Sequence, residues 1–226
     1  VNEKAALHHL ALPLEEGDFV TVIGGNGAGK STMLNAISGV WPVDKGTIRI
    51  DGVDVTELSE HRRAVYLGRV FQDPMVGTAG NMTIEENLAL AARRGEKRTL
   101  RWGIKKSERE QFKELLRPLG LGLEDRLTAK VGLLSGGQRQ ALTLLMASLK
   151  KPKVLLLDEH TAALDPKTAA KVLELSDQIV EEHRLTTLMV THNMKEDKKK
   201  LTVPDLLARF TAASGEEVES DRLLLA

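Results

Sequence analysis

Cysteine is absent from the 226 residues, which excludes disulfides and thiol catalysis and is consistent with a reducing compartment. An excess of charge is absent too. Lys+Arg and Asp+Glu both total 32, so no global field draws the chain to nucleic acid or an anionic membrane, and no nucleic-acid partner is expected. No apolar run approaches the roughly 20 residues needed to cross a bilayer, and Val1-Asn2-Glu3-Lys4 opens without a signal-peptide pattern. Any role at a membrane is therefore expected to come through a partner. Asn81-Met82-Thr83 matches a glycosylation sequon, read here as chance in a chain expected to be cytosolic. At 24.8 kDa and 42% hydrophobic residues, the material suffices for one large domain or a core with an inserted subdomain.

Periodicity supplies the elements. Phe19-Val20-Thr21-Val22-Ile23 is a β-branched run bounded by glycine and predicts a buried strand. Ser31 to Ser38 then predicts a helix ending near Gly39. Thr47-Ile48-Arg49-Ile50 and Val53-Asp54-Val55 flank Asp51-Gly52, a two-residue hairpin signal, so a small antiparallel sheet is expected beside a parallel one. From about Thr83 to Ser148 the pattern is helical. Ile84, Leu88 and Ala91 share one face, as do Phe112, Leu115, Leu116 and Leu119. Val154 to Leu157 is a continuous apolar run, as expected for a central strand covered on both faces, and Leu188-Met189-Val190 predicts another. Asp165-Pro166 opens a helix with an N-cap acceptor and a proline in the first turn. The predicted class is α/β, with a nucleotide-binding core over 1–77 and 149–226 and a helical insertion over 78–148.

Gly24-Gly25-Asn26-Gly27-Ala28-Gly29-Lys30-Ser31-Thr32 fits G-x-x-x-x-G-K-[ST], the phosphate-binding P-loop. Its glycines let the backbone turn tightly and bring amides to phosphate oxygens. The helix that follows aims its partially positive end at the same anion. Lys30 reaches the β- and γ-phosphates, the Ser31 hydroxyl ligates Mg²⁺, and Thr32 adds a contact near the α- and β-phosphates. Asp158 ends a predicted central strand, where parallel sheets place ligands, and can hold Mg²⁺ directly or through water. Glu159 is then aimed at the γ-phosphate and can polarise an attacking water.

A second cradle lies at Leu134-Ser135-Gly136-Gly137-Gln138. A serine hydroxyl, two unobstructed glycine amides and a helix start make another anion site, and one triphosphate does not need two. The P-loop, this signature and then Val154-Leu155-Leu156-Leu157-Asp158-Glu159, in that order, resemble the ATP-binding subunit of an ABC transporter over most of the chain. The resemblance implies a P-loop NTPase core with a mostly parallel central sheet, a small antiparallel β subdomain and an inserted α-helical subdomain. It implies Mg²⁺-dependent ATP hydrolysis. Ser135, Gly136, Gly137 and Gln138 would close on ATP held by a second ATP-binding subunit facing the first head to tail. Gln72 matches the glutamine that touches Mg²⁺ and the attacking water, in a loop that senses the membrane subunit. His192 matches the switch histidine that bonds the γ-phosphate, and Asp165 matches an aspartate crossing the dimer interface. The implied partners are a second ATP-binding subunit and transmembrane permease subunits, at the cytoplasmic face of the cell membrane. A compact single cassette is more like an importer component than a fused exporter, by analogy. A soluble ABC-type ATPase of DNA repair or translation, and a nucleotide-gated scaffold, are the alternatives. Translation relatives usually carry two cassettes and repair relatives insert long coiled coils between Lys30 and Ser135.

Three departures stand out. The aromatic that stacks on adenine in relatives lies well upstream of the glycine loop, and this sequence begins too close to Gly24 to show it. His160 stands where relatives usually have proline, and either modulates the neighbouring carboxylate or shapes the turn. Met194-Lys195-Glu196 runs straight into Asp197-Lys198-Lys199-Lys200, where relatives have a helix and a hairpin, so a segment is expected to be absent there, either deleted from the protein or lost from the sequence. The basic stretch from Arg93 to Lys106, with Trp102 inside it, is either a solvated face or a contact for lipid headgroups or a membrane subunit.

Overall fold

The glycine loop joins strand β1 (Phe19–Ile23) to helix α1 (Lys30–Ser38). The computed structural model that places them describes Leu7, residues 10–25, 27–96 and 103–191, and the backbone of 200–202. Helix α1 stops at Gly39, which takes φ 80° and returns its amide to carbonyls of the last turn, the glycine C-cap expected there.

The carbonyls left over at this helix end are gathered by a residue with no motif to announce it. Arg63 closes helix α2 (Glu60–Arg63) and is only 1% exposed. It donates to Ala36 O at 2.6 Å, Ile37 O at 2.8 Å, Thr56 O at 2.6 Å and Leu58 O at 2.8 Å. Its charge also sits at the negative end of the helix dipole. Arg63 thus fastens α1 to the hairpin of β2 (Arg49–Ile50) and β3 (Val53–Asp54). Asp51 and Gly52 turn that hairpin with φ 53° and 75°, both positive as a type I′ turn requires.

Strand β4 (Leu67–Val70) is followed by α3 (Ile84–Ala92), α4 (Lys106–Leu116) and α5 (Gly136–Ser148). Then come β5 (Val154–Asp158), α6 (Pro166–His183), β6 (Thr186–Thr191) and β7 (Lys200–Thr202). The main sheet runs β4-β5-β6-β1-β7, and each neighbouring pair is parallel. The mostly parallel core, the small antiparallel sheet and the helical stretch expected from the sequence are therefore all present.

Two hydrophobic clusters lie on opposite sides of this sheet. Leu156 packs with Val20, Val22, Met33 and Leu34 under α1. Leu155 and Leu157 point the other way, into a larger cluster with Leu88, Phe112, Leu116, Leu142 and Ile179 from α3, α4, α5 and α6. This alternation explains the continuous apolar run of β5: each face of the strand is covered. A fully buried leucine such as Leu116 or Leu142 contributes about 2 kcal/mol by leaving water.

Sheet register is what assembles the site. Asp158 is paired with Val190, and Val190 with Val22, so the ends of β5, β6 and β1 form one row. Adjacent strands lie about 4.8 Å apart, which brings the residues after β5 close to the loop leaving β1, more than a hundred residues earlier in the chain.

Candidate functional site

In the glycine loop, Gly27 and Gly29 take φ 80° and 77°, a left-handed conformation that side chains disfavour. An added Cβ at Gly25 or Gly27 would meet nothing within 4 Å, so the loop presents open backbone. Gly29 is also the N-cap of α1 and supplies no side-chain cap, leaving the first-turn amides for an anion. Lys30 is buried, and its ammonium donates to Gly24 O at 2.7 Å and Gly25 O at 2.8 Å. Ser31 is exposed in the first turn and Thr32 half-buried behind it.

The acidic pair arrives from β5. Glu159 takes φ 44° and donates its amide to Val190 O at 2.9 Å, so the chain turns sharply just past the strand. That turn carries the Glu159 carboxylate to within 4.0 Å of the Lys30 ammonium. Asp158, one residue earlier, pairs with Arg69 of β4 at 3.1 Å. The structure thus brings Lys30 and Glu159 together, with Asp158 one residue earlier on the same strand end. No group of three or more His, Cys, Asp or Glu able to hold a metal occurs among the described residues. Mg²⁺ takes one or two protein oxygens and completes its shell with phosphate and water. Ser31 and Asp158 are a hard-oxygen donor set of this kind, so the residues fit the ion.

Gln72 is exposed just beyond β4, and its loop is held from behind by residues of the signature helix. Gln140, fully buried, donates to Phe71 O at 2.9 Å. Arg139, 4% exposed, donates to Thr78 Oγ1 at 2.6 Å and also reaches the sulfur and carbonyl of Met75. No motif of their own announces these two residues in the sequence. Their placement in the first turns of α5, on the inward side, was the available signal.

Ser135 is the exposed N-cap of α5. Its hydroxyl accepts from Gln138 N at 3.3 Å while Gln138 Oε1 accepts from Ser135 N at 3.2 Å, a reciprocal capping box. Gly137 has a further reason to be glycine: a Cβ there would lie 2.0 Å from Thr168 Cγ2 in α6. A Cβ at Gly136 would come within 3.3 Å of Leu164. The signature therefore lies against the Ala163-Leu164-Asp165 loop. Asp165 caps α6 by accepting from Thr168 N at 3.1 Å, and the Thr168 hydroxyl and amide hold its carboxyl below the usual range. Asn26 and His192 lie outside the described residues, as do Trp102, the Glu196-Asp197 junction and the tail from Thr211. In the basic stretch, Arg93 pairs with Glu108 at 2.9 Å and Arg94 donates to Ala147 O at 3.1 Å, so both arginines serve internal contacts.

His160 turns away from the site. It is 2% exposed, and its Nε2 lies 2.9 Å from Ser176 Oγ in α6. Ser176 gives its own proton to Val172 O, which leaves its oxygen to accept from the His160 ring. Burial pushes its pKa down to about 4 from 6.5. An unfolded chain takes up a proton on this ring near pH 6.5 and the folded one does not. The stability it contributes is therefore complete above pH 6.5 and is lost as pH falls toward 4. Between pH 7.5 and 5 the loss is about 2 kcal/mol. His160→Asn, neutral throughout, should lose that much less over the same range in urea unfolding; equal losses in both proteins would refute the assignment.

Comparison with known proteins agrees with this geometry. A family model described as ABC transporter matches residues 7–162, which span the glycine loop, the signature and Asp158-Glu159. The chain is 44% identical to a tyrosine transport ATP-binding protein of Clostridioides difficile, covering 91% of this chain and 90% of the relative. That match runs over 228 aligned positions, more than the chain's 226 residues, so the relative carries residues this chain lacks. It is 37% identical to the thiamine import ATP-binding protein ThiQ of Histophilus somni (83% and 82% covered). It is 31% identical to the bacitracin export ATP-binding protein BceA of Halalkalibacterium halodurans (85% and 74%). Among solved structures it resembles the dimeric ATP-binding cassette MJ0796 in a post-hydrolysis state bound to ADP and Pi, with TM-score 0.70, 32% identity and coverage of 84% and 81%. With the phosphate loop, the acidic pair and the signature in one fold, the chain belongs to the ABC transporter family as an ATP-binding subunit of the ABC ATPase type.

Proposed function

We propose that the chain hydrolyses ATP with Mg²⁺ as one of two ATP-binding subunits working head to tail, and that it powers import through transmembrane permease subunits. The observation that carries the reading is the convergence of Lys30 and Glu159 at 4.0 Å beside Asp158. It combines a cation for the β- and γ-phosphates, an oxygen donor for the metal and a carboxylate for water. Ser31, Asp158 and Gln72 would hold the ion, which when bound would supply charge neutralisation at the phosphates. The glycine loop from Gly24 to Thr32 orients the triphosphate. Glu159 takes a proton from the attacking water, and His192 bonds the γ-phosphate.

Ser135, Gly136, Gly137 and Gln138 complete the site of the facing subunit, and Asp165 lines the interface. The dimeric form of the related cassette supports this arrangement. Segment 78–148 faces the permease, where Arg139 and Gln140 relay movement between the signature and the Gln72 loop. No helix among the described residues is long and apolar enough to cross a membrane, consistent with attachment through a partner. Import is favoured because thiamine import and methionine import ATP-binding proteins are among the relatives, although BceA is an exporter component.

Purified protein should release phosphate from ATP only when Mg²⁺ is present. Lys30→Ala should lower that rate by at least about 100-fold, the usual cost of losing a charge aimed at the transferring phosphate. Equal phosphate release by the native and Lys30→Ala proteins would reject the reading.

A further inference from the structure

Arg69 belongs to none of the nucleotide motifs, yet it holds the carboxylate on which the metal reading depends. It lies in β4 in register with Leu156, and paired residues on adjacent strands point to the same face. That face is the one covered by α1, since Leu67 and Leu156 both pack in the cluster beneath it. The side chain is 12% exposed and Asp158 is 14% exposed. One end of the guanidinium donates to Ser38 Oγ at 3.0 Å and the other to Asp158 Oδ2 at 3.1 Å. Its central carbon lies 4.6 Å from the centre of the Phe71 ring, a cation–π contact beside Gln72. The Nε–H is buried without an acceptor.

This is a costly way to place a cation. A largely buried guanidinium with one carboxylate and an unsatisfied N–H gains less than it loses on leaving water. A leucine or methionine would fill a buried strand position without that penalty. What the arginine adds is a fixed positive charge in contact with Asp158. A divalent ion drawn to the same carboxylate meets an acceptor already shared and a like charge close by.

We propose that Arg69 is a positioning residue that reserves Asp158 as a tethered competitor of the divalent cation. The cation is then admitted together with nucleotide phosphates, which supply further negative charge, and is held poorly alone. The stacked Phe71 ring ties the same guanidinium to the start of the Gln72 loop, so any shift of Arg69 when the carboxylate is claimed is passed along β4. This inference rests on the reading of Asp158 as a metal ligand, and the test separates the two.

Mn²⁺ serves as the probe, titrated by electron paramagnetic resonance into nucleotide-free protein. Arg69→Met should bind Mn²⁺ at least about tenfold more tightly than the native chain, the scale of one charge contact removed from a partly buried site. Arg69→Lys keeps the charge and should stay within about threefold of native affinity. Asp158→Asn added to Arg69→Met should bind at least about tenfold more weakly than Arg69→Met alone. With ADP present, the gap between Arg69→Met and native protein should narrow. Thermal melting checks that all variants are folded, and Arg69→Lys tests the charge even if the methionine variant is unstable. An Arg69→Met protein that binds Mn²⁺ no more tightly than native, or an Arg69→Lys protein as tight as Arg69→Met, overturns the competition. Mn²⁺ binding that is unchanged by Asp158→Asn in the Arg69→Met background overturns the metal assignment itself.

Discussion

Glu159→Gln should slow ATP hydrolysis by about a thousandfold, within the range that general-base catalysis contributes, while leaving ATP bound and a dimer accumulated. Glutamine keeps the size of the side chain and an oxygen acceptor but cannot accept the proton of the attacking water. The backbone should not object. Glu159 already occupies a left-handed conformation at φ 44°, and any residue other than glycine carries a similar cost of about 1 kcal/mol there. The amide bond to Val190 O is likewise independent of the side chain. The loss should therefore fall on turnover and not on folding. Lys30, 4.0 Å away, loses an anionic neighbour, and nucleotide phosphate can take its place. Single-turnover hydrolysis and size-exclusion chromatography with ATP would measure both outcomes. Hydrolysis at the native rate would remove Glu159 from its role.

Ser135→Arg should abolish dimer formation and cut hydrolysis by at least about 100-fold, yet leave ATP binding to the single subunit within about threefold of native. The asymmetry follows from position. Ser135 is exposed and caps α5, so its loss removes a capping bond worth about 1 kcal/mol, small against the 5–15 kcal/mol typical of a folded domain. The glycine loop is built by β1 and α1, which do not include Ser135. A bulky cation at the capping position blocks approach of a facing subunit and takes the space meant for its phosphate. Hydrolysis per subunit in the native protein should rise with protein concentration in the dilute range, because the working site needs two chains. A Ser135→Arg monomer that turns ATP over normally would remove the trans-acting role of the signature.

Much of the site was legible because its determinants are local. Gly27 and Gly29 need positive φ, Asp51-Gly52 needs a type I′ turn, and Gly39 ends a helix; each depends on a few adjacent residues. The apolar runs of β1, β5 and β6 were readable for the same reason. Gly137 was assigned to a phosphate cradle from its neighbours in sequence. Its close approach to Thr168 was invisible there, since it depends on how α5 crosses α6.

The residues that hold the site together were less legible. Arg63 gathers the end of α1 from 26 and 27 positions away. Arg139 and Gln140 grip the Gln72 loop across 61 and 69 positions, and Arg69 reaches Asp158 across 89. A lone arginine in a strand has no periodicity or spacing that names its partner. The orientation of His160 was open for a similar reason: either face of the turn is allowed locally, and only Ser176 on α6 decides between them. By itself, the sequence determined the phosphate loop, the acidic pair, the signature and several of the strands and helices, because backbone conformational preference and hydrophobic alternation act over a few residues. Tertiary structure alone decided which cations meet which carboxylates, because strand order and register determine the distance between charges far apart in the chain.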